Sequence, residues 1–145
     1  AKSAFCYFNN PEMTARQFYK GWLYTGDVGT WDEDEFVTVA GRKDDMIVSA
    51  GENIYPAQIE AVLNGHPKVA ESAVIGVPDA LRGEVVAAYV VPSDDSLTTE
   101  ELKAYCAQSP MLSSYKWPRV YHIVNELPHT ATGKLMHYKL REALG

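Results

Sequence analysis

The sequence predicts an α+β fold, a small mixed sheet packed with two or three helices and preceded by a β-hairpin. Three observations carry that expectation. Val85 to Val91 is an almost unbroken apolar run, the pattern of a strand covered on both faces. Helical punctuation flanks it: Pro56 opens one stretch that Gly65 and Pro67 close, and Thr98-Thr99-Glu100-Glu101 is a capping-box signature. Nearer the start, two short β-rich runs surround a polar turn, as in a hairpin. The 145 residues, 46% of them hydrophobic, fit one ordinary domain, or one plus a short appendage, with enough apolar material for a core.

In chain order, residues 12–20 read as a short amphipathic helix ended by Gly21. Phe5, Tyr7, Phe8 and Phe18 around it call for a surface outside their own segment, so a chain opening this way at Ala1 reads as a piece of something larger. Trp22 to Val28 and Phe36 to Val39 form the arms of the hairpin, with Asp32 to Glu35 as its acidic turn. Gly41-Arg42-Lys43-Asp44-Asp45 breaks the pattern with charge and is the best candidate linker. Met46 to Val48 is a brief strand and Ser49 to Asn53 a loop. Ile59, Val62 and Leu63 share a helical face behind Pro56. Val69, Ala73, Ile75 and Val77 alternate as in a half-buried strand, and Asp79 to Gly83 links them to the central strand. Leu102, Tyr105 and Cys106 supply the stripe of the capped helix. Pro118 precedes a strand from Val120 to Val124, and Leu127 to Gly133 is a loop leading into a helix ending near Leu144.

Composition narrows the function. Thirteen Lys+Arg against nineteen Asp+Glu leave a net charge of −6, which argues against a general nucleic-acid binder. Cys6 and Cys106 lie far apart without metal-ligand spacing, so neither a zinc site nor a disulfide scaffold is expected. No apolar run approaches ~18 residues, so no membrane span is expected. There is no signal-peptide pattern at the start, and a soluble cytoplasmic protein is the expectation.

Three constellations could carry chemistry. Tyr24-Thr25-Gly26-Asp27 can point a carboxylate at vicinal hydroxyls, although Asp27 alone also reads as a turn residue capping its own loop. Arg42 offers a forked donor for ribose or phosphate oxygens beside a glycine that permits close approach; alone, it also reads as part of a solvated turn. Pro128 to Lys134 ends in a Gly-Lys tip. It is no phosphate-binding Walker loop, since position 128 is Pro and position 135 is Leu. Lys134 there suits a point charge delivered to a substrate, or it is an ordinary exposed loop lysine.

Together the three say more. Tyr24-Thr25-Gly26-Asp27, GRKDDMIVSAGENIYPAQIE at 41–60 and PHTATGKLMHYKLRE at 128–142, in this order and at these separations, resemble the C-terminal signature of the adenylate-forming superfamily. That superfamily contains acyl- and aryl-CoA synthetases, nonribosomal-peptide adenylation domains and firefly luciferase. PDALRGEVVAAYVV at 78–91 and YKWPRVYHIVNELPHTATGK at 115–134 look most like a CoA ligase of the medium-chain or aryl type.

The resemblance implies activation of a carboxylic acid with ATP and Mg²⁺ as an acyl-adenylate, then transfer to CoA. It implies that Asp27 and Arg42 hold the nucleotide ribose and that Lys134 bridges the attacking carboxylate and the α-phosphate or ribose. It makes Asp44 a hinge, sets Ala50-Gly51-Glu52 along the pantetheine channel, and puts Arg82 and Trp117 at the nucleotide end of CoA. Residues 1–41 then form the tail of a larger N-terminal AMP-binding domain, and 42–145 a mobile C-terminal domain. The phosphate loop, acyl pocket and Mg²⁺ ligand would belong to the larger domain, so the chain alone is expected to be inactive. Two positions depart from the pattern: Ala50 and Glu35 stand where glycine is expected, and Ala50 narrows the expected channel. Two rivals stand beside this reading: an adenylation domain loading a carrier protein, and a non-catalytic module binding CoA or a partner protein.

Overall fold

In the computed structural model, which describes residues 6, 8–19, 22–34 and 36–144, the apolar pattern resolves into a five-stranded mixed sheet with helices on both faces. The expectations at Phe5, Tyr7, Gly21 and Glu35 lie outside the described residues. The chain opens with α1 (Pro11–Gln17), started by Asn10, whose side chain accepts from Met13 N at 2.9 Å. This helix stops before the expected residue 20. Phe18–Tyr19 (β1) turn extended and pair with Trp22–Leu23 (β2), as residues of high strand propensity do when a partner is near. The Trp22 end of the expected hairpin arm therefore belongs to this separate pair.

The main hairpin is β3 (Asp27–Trp31) with β4 (Val37–Arg42). Asp32 closes its turn by accepting from Asp34 N at 3.0 Å and Phe36 N at 2.9 Å. The strand continues through Gly41 and Arg42, so the charged linker shortens to one 3₁₀ turn, Lys43–Asp45.

Next come β5 (Ile47–Ser49), β6 (Glu52–Ile54), α2 (Pro56–Asn64), β7 (Val69–Asp79) and β8 (Gly83–Pro92). After these follow α3 (Thr99–Gln108), β9 (Val120–Ile123) and α4 (His137–Leu144). The order is β6-β5-β8-β7 with antiparallel neighbours, and β9 adds to β8 in parallel. The expected loop at 49–53 is thus a tight hairpin. Ala50 and Gly51 form its two-residue turn with φ of 51° and 87°, the left-handed pair that matches strand twist. The capping box is present, with Thr98 Oγ1 accepting from Glu101 N and Glu101 reaching back to Thr98 N.

One face of the sheet packs Val74, Val86 and Val90 against Ile59 and Leu63 of α2 and Leu102 and Cys106 of α3. The other packs Ala73, Ile75, Ala87 and Tyr89 against Leu127 and Leu140 of α4. Residues 72–75 of β7 are all buried, which corrects the half-buried expectation: alternate side chains enter two cores rather than one core and solvent. Burial raises the Cys106 thiol pKa despite its hydrogen bond with Tyr121, and burial likewise raises the Tyr121 phenol. Among the described residues no helix is long and apolar enough to cross a membrane.

Candidate functional site

Strand register brings Asp27 and Arg42 opposite each other at the open end of the hairpin. Arg42 Nη1 lies 3.4 Å from Asp27 Oδ1, and both side chains keep substantial exposure. Gly26, at φ 78°, makes the turn before Asp27, and its carbonyl accepts from Lys43 N at 2.8 Å. Thr25 Oγ1 accepts from Asp27 N at 3.2 Å, so the Thr25 hydroxyl braces this turn.

Asp27 and Arg42 edge a cleft of about 180 Å³ whose far wall includes Asp45, Glu60 and His137. That wall belongs to a half-buried charged network of Asp45, Glu60, His137 and Arg141 that sequence motifs do not mark. His137 Nε2 lies 2.5 Å from Glu60 Oε1, and the same oxygen accepts from Val74 N at 2.8 Å on the free edge of β7. Burial disfavours the imidazolium, but the Glu60 hydrogen bond and the charges of Glu60 and Asp45 outweigh burial and the nearby Arg141, so the His137 pKa is raised. Arg141 donates through Nη1 to Asp44 O at 3.2 Å and through Nη2 to Asp45 Oδ1. His137 and Arg141 are four apart on one helix, which is a sequence signal for a shared face.

Lys134 stands three residues before His137, so its Cα is within about 11 Å of the cleft wall. Its loop is self-braced: Thr130 N donates to Lys134 O at 2.8 Å, Gly133 N to Thr130 O at 2.9 Å, and Met136 N to Pro128 O at 2.8 Å. His129 Nε2, 2.5 Å from Glu71 Oε1, ties the loop to β7. Among the described residues no carboxylate pairs with the exposed Lys134 ammonium, so its charge is available.

The remaining predicted residues gather elsewhere. Ala50 N donates to Arg82 O at 2.9 Å and Ser49 pairs with Gly83, so the Ala50-Gly51-Glu52 turn and the Arg82 tip are neighbours. A β-carbon at Gly51 would meet nothing within 4 Å, so this turn has open space beside it. Trp117 is 36% exposed, and its Nε1 donates to Leu112 O at 3.3 Å. It lies just ahead of Arg119, whose amide donates to Val86 O, near the same end of β8 as Arg82. Asp44 sits exposed in the 3₁₀ turn between these groups.

Comparison with known proteins gives this arrangement a family. The profile described as AMP-binding enzyme C-terminal domain matches residues 58–134. The chain is 46% identical over 134 residues to a 2-succinylbenzoate–CoA ligase of Bacillus licheniformis, covering 92% of this chain and 27% of that protein. It is 45% identical over 136 residues to a long-chain-fatty-acid–CoA ligase of Yersinia pestis, covering 94% and 24%. Among solved structures, o-succinylbenzoate CoA synthetase from Bacillus subtilis, in complex with its acyl-adenylate intermediate, superposes with a TM-score of 0.87 at 40% identity. That match covers 94% of this chain and 28% of the other. The chain thus spans about a quarter of the length of these proteins.

Proposed function

The chain belongs to the family of AMP-binding enzyme C-terminal domains, and from that premise we propose that it is the C-terminal portion of an ATP-dependent acyl-CoA synthetase acting in the cytoplasm on a fatty or aryl acid. The observation that carries the proposal is the cleft edged by Asp27 and Arg42, with the unpaired Lys134 a short reach from its wall. In this reading residues 1–41 are the tail of a larger N-terminal domain and 42–145 the mobile domain.

Each residue has a physical task. The Asp27 carboxylate accepts from the ribose hydroxyls of ATP, and Arg42 adds a donor beside it. Lys134 brings a point charge to the α-phosphate, where negative charge builds as the substrate carboxylate attacks and pyrophosphate leaves. Asp44 is the joint about which the domain turns before the second step. The Ala50-Gly51-Glu52 turn then faces the pantetheine arm of CoA, Arg82 its phosphates, and Trp117 its adenine. Mg²⁺ neutralises the triphosphate when bound. Its protein ligand is proposed to belong to the larger N-terminal domain.

The test is to assay the ligase containing this chain with ATP and a panel of carboxylic acids, offering free CoA or a phosphopantetheinyl carrier protein as acceptor. Acyl-adenylate followed by acyl-CoA is expected. Acyl transfer to the carrier protein alone overturns the CoA assignment, and failure to form any acyl-adenylate overturns the enzyme reading.

A further inference from the structure

The 3₁₀ turn Lys43–Asp45 is gripped from both sides by groups belonging to different parts of the molecule. Upstream, Arg42 is paired with Asp27 in the hairpin, and Lys43 N donates to Gly26 O at 2.8 Å. The peptide plane between Arg42 and Lys43 is therefore fixed in the frame of the hairpin. Downstream, the two arms of the Arg141 guanidinium hold the Asp44 carbonyl and the Asp45 carboxylate. The peptide plane after Asp44 is thereby fixed in the frame of α4. A planar fork with two donors suits this task, because one rigid group satisfies both acceptors at once. Between the two fixed planes lie four soft torsions, φ and ψ of Lys43 and Asp44. One hydrogen bond that spans the interval, Met46 N to Lys43 O, is long at 3.3 Å. The Lys43 and Asp44 side chains are exposed, so little packing resists rotation there.

We propose that Arg141 is a positioning residue for the domain swing: by tying the peptide after Asp44 to α4, it confines the pivot to the backbone torsions of Lys43 and Asp44. This rests on the ligase reading above and deepens it, since a hinge named by one residue becomes a joint with two identified stops. Without the clamp, the torsions of Asp45 join the pivot and the swing loses its sharp axis.

The test is a suppressor experiment in the ligase containing this chain, with both half-reactions measured separately. Asp44→Pro fixes φ within the joint and is expected to slow one half-reaction by about 100-fold while sparing the other. Adding Arg141→Met opens torsions downstream, and the slowed half-reaction is expected to recover at least about tenfold over Asp44→Pro alone. Arg141→Lys keeps the charge but holds one acceptor at a time, so its double variant recovers less; it also serves if the Met variant does not fold. A folded double variant with no recovery overturns the clamp. If Asp44→Pro slows neither half-reaction, the hinge reading itself falls and the clamp falls with it.

Discussion

The Lys134 loop and the Ala50-Gly51 turn hang from opposite ends of one sheet and are held by different means. The loop is tied at Glu71, opposite Val91, whereas the turn leans on Arg82 and Gly83. Eight residues of β8 separate those points, a distance of about 26 Å at the rise of an extended strand. The loop makes its own geometry from local hydrogen bonds among Pro128, Thr130, Gly133 and Met136. The turn has no such independence: it is two residues of a β-hairpin inside the sheet, and Val48 beside it donates its amide to Glu84. A substitution at Lys134 therefore alters charge alone, while one at Gly51 alters the sheet and the surface together. Placement at opposite ends also suits the proposed use of the domain in two orientations.

The largest expected effect comes from the self-contained loop. In the ligase, Lys134→Ala is expected to lower acyl-adenylate formation at least about a hundredfold, or about 3 kcal/mol, the loss of one preorganised charge. Transfer from supplied acyl-adenylate to CoA should be nearly unchanged. Equal loss in both half-reactions would mean that the two ends do not divide the chemistry.

At the other end the consequences should mix. Gly51→Ala puts a β-carbon on a residue at φ 87° and is expected to cost about 1–2 kcal/mol of stability. The added methyl meets no atom of this chain within 4 Å. Any further loss confined to thioester formation, expected as about a tenfold rise in KM for CoA, then reports contact with CoA itself. Circular dichroism melts beside the two half-reaction assays separate the terms. A stability loss with an unaltered KM for CoA would remove this turn from the acceptor channel.

Much of the fold was legible because its signals are local. The Val85 to Val91 run, Pro56 with Gly65, and the Thr98–Glu101 box each mark an element within a few residues, and each element is present. The β6 strand was not legible, since Glu52-Asn53-Ile54 is short and polar and the Ala50-Gly51 turn carries no Asn-Gly or Asp-Gly signal. The α1 stop was missed because Phe18 and Tyr19 also fit a helical stripe, and only pairing with β2 decides between the two. Of the candidate site, Asp27, Arg42 and Lys134 could be proposed from motifs. The network of Asp45, Glu60, His137 and Arg141 could not, because its bonds span 77 and 96 residues of sequence.

That network adds a pH dependence located at the cleft rather than at either end. A His pKa raised on folding contributes stability fully below its unfolded value of about 6.5 and loses it as pH rises through the folded value. The His137–Glu60 contact should therefore weaken on going from mildly acid to alkaline conditions, and the unfolding midpoint should fall with it. His137→Gln should flatten that part of the profile while leaving the response at the Ala50-Gly51 turn untouched. A variant with the same slope as the parent would show that the stabilising charge is not on His137.

The smallest expected effect sharpens the contrast between the two ends. Ala50 occupies φ 51°, where an L side chain is disfavoured by about 1–2 kcal/mol relative to the right-handed region. Ala50→Gly removes that strain but gives the unfolded chain more freedom, a cost of roughly 0.5–1 kcal/mol. The net gain should lie between zero and about 1.5 kcal/mol, seen as a small rise in unfolding midpoint. Since Ala50 also stands on the proposed pantetheine side, removing its methyl should widen the channel and lower KM for CoA, with adenylation unaltered. A gain in stability with no change in KM would assign Ala50 to turn geometry alone. A lower KM with no stability change would instead mean that the turn relaxes without strain and that the methyl's contact is with the acceptor.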